Sequence, residues 1–183
     1  MTSDEMTLLE RLRERAQVET PGRQTATPAQ IEAAEARLKL RLPALLREVY
    51  TEVGSGGFGP GDAGLRPLAS ALLPGRLYPL CDWGGGILSA LDCIKPEAPV
   101  IRIDPNMPKA DVPVRVPLAL HFDRAAEVKS ACWVESPSLT QWLTDWLDGQ
   151  PLFYAAYRGA DDEDDNLDDE EEDSEAEDSE AED

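Results

Sequence analysis

The chain has 183 residues, of which 37 are Asp or Glu and 17 are Lys or Arg, so its formal net charge is −20. Residues 161–183 contain 17 of the acidic residues and no basic one, which leaves the first 160 residues with a net charge of only −3. The length suits one folded domain with appended segments, and the absence of a basic stripe argues against a nucleic-acid partner.

The composition at both ends of the chain is polar. Residues 1–16 are charged throughout and lack the apolar stretch of a secretory signal. No window approaches the roughly 18 consecutive apolar residues of a membrane span. Three cysteines, an odd number, are typical of reduced thiols in a chain without an export signal. We therefore expect a cytoplasmic protein that has no membrane partner.

Two capping motifs predict the first two helices. Thr2 and Glu5 match a capping box ahead of the first helix. Thr27, Pro28 and Gln30 match a second box that has proline at the first helical position. The apolar side chains spaced to share one face of each helix are Leu8, Leu9, Leu12 and Ala16 in the first and Ile31, Ala34 and Leu38 in the second.

A third helix follows directly on the second. The dipeptide Leu42–Pro43 ends one helix and begins the next, because the residue before proline is disfavoured in the helical region. Gly54 is expected to end the third helix. The second and third helices are predicted to form a helical hairpin whose inner face carries Leu45, Leu46, Val49, Tyr50 and Val53.

Short extended segments replace the helical pattern after Gly54. Strands are predicted over residues 76–83, 86–92, 99–104, 113–122 and 130–135. Gly84–Gly86 lie where two apolar runs reverse direction, and glycine permits the positive φ of such a turn. The last predicted helix has an apolar face of Leu139, Trp142, Leu143, Trp146 and Leu147.

The order of these elements predicts an α+β domain. It has an N-terminal helical hairpin, a central, mostly antiparallel or mixed β-sheet, and a C-terminal amphipathic helix packed on the sheet. We divide the chain into an N-terminal helix and polar spacer (1–24), the α+β domain (25–158) and an acidic tail (159–183). The tail has too few apolar residues to offset its ordering entropy and is expected to be disordered.

Metal and thiol chemistry find little support in the residue pattern. Cys81, Cys93 and Cys132 contain no C-x-x-C pair, and His121 is the only histidine, whereas structural zinc takes four such ligands. A cysteine nucleophile needs a nearby base, and the alternation around His121 is typical of a strand residue instead. We expect no metal, no cofactor and no catalytic residue.

Asp82 and Asp92 leave one catalytic alternative open. Asp82 and Asp92 could face one another across the Gly84–Gly86 turn and act as a general acid and base. Aspartate beside such a turn is also ordinary turn chemistry, because its side chain accepts hydrogen bonds from the backbone two residues on. The turn interpretation is preferred.

Four stretches in the same order resemble the SUKH superfamily, the Smi/Knr-type immunity proteins and cell-wall-assembly regulators. They are TPAQIEAAEARLKLRLPALLREVYTEVGSGGFGPG, LYPLCDWGGGILSALDC, IRIDPN and SLTQWLTDWLDG. The residues that match the opening pattern are Ile31, Glu35, Leu42, Pro43, Tyr50 and Gly54. The resemblance covers residues 27–149 and leaves the acidic tail outside.

The resemblance implies protein binding without catalysis. Bacterial members neutralise toxins, many of them nucleases, by direct binding, and fungal members are scaffolding regulators. We therefore expect an immunity-type protein that binds a protein partner, for example a basic toxin domain. The alternative is a housekeeping adaptor whose tail recruits a basic partner. The residues that we expect to contact a partner are Phe58, Asp82, Trp83, Asp92, Asp104 and Glu135.

Overall fold

The computed structural model describes residues 1–107 and 122–152, which form the α+β fold that the sequence predicts. This part of the chain contains four α-helices and one four-stranded sheet. The helices are α1 (Ser3–Glu19), α2 (Pro28–Leu38), α3 (Ala44–Glu48) and α4 (Leu139–Leu147). The strands are β1 (Tyr78–Asp82), β2 (Leu88–Leu91), β3 (Val100–Asp104) and β4 (Ala131–Ser136).

Both predicted capping boxes are confirmed. The Thr2 hydroxyl accepts from the Glu5 amide at 3.2 Å, and the Glu5 carboxylate accepts from the Thr2 amide at 2.7 Å. Thr27 and Gln30 make the same reciprocal pair at 3.3 and 2.8 Å. Each box satisfies backbone donors that would otherwise lack a partner in the first helical turn.

The third predicted helix changes character partway along. It is an α-helix up to Glu48 and then a single π-helical turn, Val49–Val53. The Tyr50 carbonyl, which would accept from Gly54 in an α-helix, accepts instead from the Ala26 amide at 2.8 Å. The Gly54 amide therefore donates one residue further back, to the Val49 carbonyl at 2.9 Å. Tertiary contact with residue 26 thus widens the helix.

The sheet is an antiparallel meander in the order β1-β2-β3-β4. The turn between β1 and β2 is closed by the Trp83 amide, which donates to the Ile87 carbonyl at 2.9 Å. Gly84, Gly85 and Gly86 have φ values of 79°, 59° and 81°. The prediction that this turn needs glycine is confirmed, since L-residues adopt such conformations only at a cost.

Each face of the sheet has its own apolar core. One face packs on the helices, where Leu80, Leu91 and Val100 share a core with Leu46 and Trp142. The opposite face contributes to a smaller core of Leu77, Ala90, Ile101, Ile103, Cys132 and Val134, together with Phe122 and Val128. Because Trp142 and Leu143 of α4 are fully buried in the first core, the predicted packing of the last helix on the sheet is confirmed.

A buried chain of hydrogen bonds joins the helices, the sheet and the loop between them. The Ala69 amide donates to the Tyr78 hydroxyl at 3.1 Å, and that hydroxyl donates to the Tyr50 hydroxyl at 3.1 Å. The Tyr50 hydroxyl in turn donates to the Arg66 carbonyl at 2.9 Å. Burial raises the pKa of both phenols, so both stay protonated as donors.

Several predicted features lie partly or wholly outside the described residues. The observed strands fall within a residue or two of four predicted ones. The remaining predicted strand, 113–122, lies outside the described residues apart from Phe122. His121 and the acidic tail also lie outside the described residues. The segment 1–24, which we had set apart from the α+β domain, contributes Leu8, Leu9, Leu12 and Ala16 of α1 to the helix-side core.

No helix in residues 1–107 and 122–152 has the length and apolar character needed to cross a bilayer.

We predict that Gly64→Ala destabilises the fold far more than Gly57→Ala in the same loop. The two glycines have nearly equal φ, +72° and +76°, so both alanines carry the left-handed cost of about 1 kcal/mol. A Cβ at residue 64 would lie 2.4 Å from the Phe58 amide nitrogen, whereas one at residue 57 meets nothing within 4 Å. We expect about 1–3 kcal/mol of additional loss for Gly64→Ala, measured by urea unfolding. Equal losses would show that the loop yields to the added methyl group.

Candidate functional site

Two of the predicted partner-binding residues, Asp82 and Trp83, lie at the end of the sheet where β1 turns into β2. The Asp62 amide donates to the Asp82 carbonyl at 2.9 Å, which pins the glycine loop to the end of β1. The Asn106 side-chain amide donates to the Gly85 carbonyl at 2.9 Å, which pins the segment after β3 to the glycine turn. We call this end the sheet tip, and it consists of Asp62, Asp82, Trp83, Gly84–Gly86 and Asn106.

The sheet tip is acidic. Asp62 is exposed, and its carboxylate lies beside Gly84. A Cβ added to Gly84 would be only 2.9 Å from the Asp62 Oδ2 atom. The Asp82 side chain is 48% exposed and has one cation nearby, Arg66 at 4.0 Å. At that distance and exposure the ion pair contributes little. Among residues 1–107 and 122–152, the tip therefore presents two carboxylates against one weakly held guanidinium.

Directly beneath the sheet tip lies a buried polar cluster. The Trp83 indole N–H donates to the Ser89 hydroxyl at 2.8 Å, and that hydroxyl donates to the Glu135 carboxylate at 2.6 Å. Arg102 forms a salt bridge with the other oxygen of Glu135. Its guanidinium also stacks on the Trp83 ring, 4.6 Å from the centroid. We call Trp83, Ser89, Arg102 and Glu135 the Trp83 cluster.

The Trp83 cluster anchors the tip through a buried charge pair. The side chains of Arg102 and Glu135 are 1% and 2% exposed. Burial raises the pKa of the Glu135 carboxyl, while the Arg102 charge and the Ser89 hydrogen bond oppose that rise. A buried pair of this kind adds little net stability, but losing one partner leaves an uncompensated charge. The position of Trp83 at the tip is therefore tied to the pair below it.

Trp83 and Glu135 are predicted from the sequence as partner-binding residues, whereas Ser89 and Arg102 are not. The missing signal is the alternation of β3, VIRID, in which Arg102 is a cation between two isoleucines. A cation at such a position must be paired when the strand is covered on both faces. Its register partners across the sheet, Ser89 and Trp133, become visible only with the strand pairing.

The three predicted aspartates all make the same local turn. Asp82, Asp92 and Asp104 each accept, through Oδ1, from the amide two residues on, at 2.8, 3.1 and 2.8 Å. Asp82 is next to the glycine turn, whereas Asp92 follows Leu91, which pairs with Tyr78 at the other end of β1. The two carboxylates do not face one another. The turn interpretation is confirmed, and the acid–base alternative is wrong because the strand separates them.

Asp92 belongs to a separate buried ion pair at the far end of the sheet. Its carboxylate forms a salt bridge with Arg124. Arg124 also donates to the Gly75 carbonyl at 2.6 Å and lies over the Phe122 ring. Asp92 thereby connects the end of β2 to the segment that precedes β4, and its role is structural.

Phe58 is a core residue that forms an aromatic pair with Trp146, and a cation lies over each ring of the pair. It is 5% exposed, and Trp146 of α4 packs against it edge-on with ring centroids 5.2 Å apart. The Arg23 guanidinium lies over the Phe58 ring at 5.1 Å, and Arg15 lies over the Trp146 ring at 4.4 Å. This stack fastens the glycine loop to α1 and α4.

The predicted partner-binding set therefore needs correction. Its four buried members offer no side-chain surface to a partner, because each is at most 6% exposed and is occupied by internal contacts: Phe58, Asp92, Asp104 and Glu135. Asp82 and Trp83 lie together at the sheet tip and keep partial exposure. For these two the partner-binding role stays a prediction, and Asp62 joins them by position.

The Cys81 and Cys93 thiols lack the low pKa of a nucleophile. Burial, with the nearby Glu135 carboxylate, raises the pKa of Cys81 to about 12. Burial, with the nearby Asp92 carboxylate, raises the pKa of Cys93 to about 12. A reactive cysteine requires the opposite shift. In the described part of the chain no cluster of three His, Cys, Asp or Glu side chains is arranged to hold a metal ion, and His121 lies outside that part.

We predict strong coupling between Arg102 and Glu135. Arg102→Met or Glu135→Leu alone is expected to cost roughly 3–5 kcal/mol, because each removes one half of a buried ion pair. The double variant is expected to cost much less than the sum of the two. Urea unfolding of all four chains gives the coupling energy. Additive losses would contradict the pairing.

We also predict slow alkylation of Cys81 and Cys93. With pKa values of about 12 instead of 9, their thiolate fractions at pH 8 fall roughly a thousandfold. Iodoacetamide labelling followed by peptide mass spectrometry, with the urea-unfolded chain as control, measures the rates. Because the folded state holds these protons more tightly, the thiols' contribution to stability is full below pH 9 and is lost as pH rises towards 12. Labelling as fast as in urea would contradict the burial of both thiols.

Comparison with protein-family models, with curated proteins and with solved structures finds no match to this chain.

Proposed function

We propose that this chain is a non-catalytic protein-binding domain of the immunity type, which neutralises a toxin by direct binding in the cytoplasm. The observation that carries the proposal is the acidic sheet tip, where Asp62 and Asp82 flank a partly exposed tryptophan. Aromatic side chains beside charges are the groups that most often dominate binding energy at protein interfaces.

The chemistry of the tip favours a basic partner. Toxins that cleave nucleic acids have basic active sites, and carboxylates on a rigid surface both steer such a partner and complement its charge. The tip is held on one side by a backbone hydrogen bond from Asp62, on the other by the Asn106 side-chain amide, and from below by the Trp83 cluster. A preorganised surface loses little conformational entropy on binding.

The sequence resemblance to the SUKH superfamily supports the same proposal independently of the tip. The resemblance suggests that the partner is a toxin, whereas the tip is the surface that we propose to bind it. Neither names the toxin.

Charge reversal at the tip tests the proposal. Cells that express a toxin encoded beside this chain should survive when the chain is co-expressed, and Asp62→Lys/Asp82→Lys should abolish that protection. The matched control is Glu10→Lys/Glu14→Lys, which makes the same change of charge on the exposed face of α1. Calorimetry is expected to show that the control variant binds the toxin like the parent chain, whereas the tip variant binds it at least tenfold more weakly.

Two outcomes would contradict the proposal. One is killing by every toxin encoded beside this chain at the same rate with and without co-expression of the chain. The other is protection that the tip variant retains in full while its circular dichroism and melting curve match those of the parent chain.

The adaptor function remains the second candidate, because 17 acidic residues are concentrated in 161–183. In an adaptor the tail would recruit a basic partner through screened charges. Deleting residues 161–183 would then remove a salt-sensitive partner in pull-downs, whereas toxin neutralisation through the tip would survive the deletion.

A further inference from the structure

Four exposed cations surround the carboxyl end of α2. The Arg76 guanidinium donates to the Lys39 carbonyl at 3.2 Å, which brings the segment before β1 against the end of this helix. Arg37 donates to the Ala69 carbonyl at 2.8 Å, further along the same segment. We call the four the α2 cation cluster: Arg37, Lys39, Arg41 and Arg76.

No carboxylate in residues 1–107 and 122–152 forms a salt bridge with any member of the α2 cation cluster. The sequence explains this, because residues 36–47 and 63–81 contain no acidic residue. The nearest acid along the chain, Glu35, accepts from the Leu42 amide at 2.8 Å and lies 3.8 Å from Arg47. Within the described part of the chain, the cluster is therefore a charge of +4 without a salt-bridged carboxylate.

The helix dipole accounts for only a small part of this arrangement. A helix carboxyl end attracts cations, but its dipole is equivalent to about half a negative charge. Four positive charges exceed that several-fold. Their mutual repulsion would be relieved by an anion that contacts several of them at once.

The backbone at the α2 cation cluster also departs from the usual pattern. Lys39 and Arg76 have φ values of 50° and 57°, and within the described part of the chain only one other non-glycine residue, Ala98, has a positive φ. Glycine adopts this conformation without the steric cost that a side chain brings, and it is the usual residue after a helix. Two cations thus occupy positions where the backbone alone would favour glycine, which points to a role for their charges.

A groove of about 380 Å³, lined half by polar and half by apolar residues, begins at Arg37 of the α2 cation cluster. Arg37 lines it, and amide and hydroxyl side chains supply further donors. The groove lies between α2 and two passing segments of chain, and its polar lining includes Gln24, Thr25, Gln30, Arg37 and Ser55. A shallow groove with a cationic end and with amide and hydroxyl donors along it suits an extended, acidic stretch of polypeptide.

We propose that the α2 cation cluster and this groove are the docking site for the chain's own acidic segment, residues 161–183. The segment has 17 acidic residues and no basic one. The 31 residues after Leu152 can span up to roughly 100 Å when extended. This exceeds the diameter of a domain whose radius of gyration is about 15 Å, so the segment can reach the cluster from any starting point.

Covalent linkage favours this occupant over a foreign polyanion. A tethered segment meets its site at an effective concentration on the order of millimolar. A separate nucleic acid or acidic protein present at lower concentration would have to displace it. The docked segment would neutralise the cluster and leave the acidic sheet tip free, and this inference holds whether or not the partner of the tip is a toxin.

Paramagnetic relaxation in the full-length ¹⁵N-labelled chain tests the docking. A spin label is placed in the acidic segment through Ala181→Cys. At about 50 mM salt, the amide signals of residues 37–41 and 76 are expected to lose most of their intensity. At about 500 mM salt, where the Debye length is only a few ångströms, they should regain it.

Lys39→Gly/Arg76→Gly separates a charge effect from a folding effect. The glycines relieve two left-handed side chains, so the melting temperature should not fall appreciably, while the broadening should disappear. Lys129→Gln, which removes an exposed lysine elsewhere, is the control and should leave the broadening unchanged.

Three outcomes would overturn the docking proposal. The first is broadening that is absent at low salt or spread evenly over the surface. The second is broadening that survives in the double glycine variant. The third comes from mixing a ¹⁵N-labelled chain that has no spin label with a spin-labelled chain that has no ¹⁵N. Equally strong broadening in this mixture would assign the contact to a second copy of the chain.

Discussion

The hydrogen bond between the buried hydroxyls of Tyr50 and Tyr78 is the constraint on which the arrangement of the fold depends. One phenol comes from the π-helical turn and the other from the first residue of β1, and each also bonds to the backbone of the loop between Arg66 and Ala69. Buried polar groups without partners are costly. Helices, loop and sheet must therefore meet in one register for all of these groups to be satisfied.

That register places the sheet tip. With the loop fixed at residues 66–69, Leu65 forms a bridge with Cys81, and the Asp62 amide reaches the Asp82 carbonyl. Trp83 directly follows β1, and its indole is linked through Ser89 to Glu135 and Arg102. An exposed acidic rim is thus held by a buried charge pair, and the surface is rigid because its support is internal.

Charge is distributed unevenly over this molecule at two scales. Along the chain, the acidic residues concentrate after residue 160 and leave the rest nearly neutral. Within the described part, that near-neutrality conceals two regions of opposite sign, the acidic sheet tip and the cations at the end of α2. A single net charge for the folded part would hide both regions, although local fields and not the sum are what a partner meets.

The sequence by itself determined the elements whose signals are local. Capping residues, the proline before α3 and the glycines at 84–86 act within a few residues, so the helix starts and the β1–β2 turn are readable from the chain. The prediction that Leu42–Pro43 ends the second helix is wrong, because α2 already ends at Leu38, where Lys39 adopts the left-handed conformation. Tertiary structure decided what depends on partners distant in sequence. Tyr50 changes a helix to a π turn because residue 26 captures its carbonyl, and Phe58, Asp92 and Glu135 are buried because elements 30 or more residues away close over them or pair with them. Periodicity shows which residues are apolar or charged, but only the packed sheet and helices decide which of those charges water still reaches.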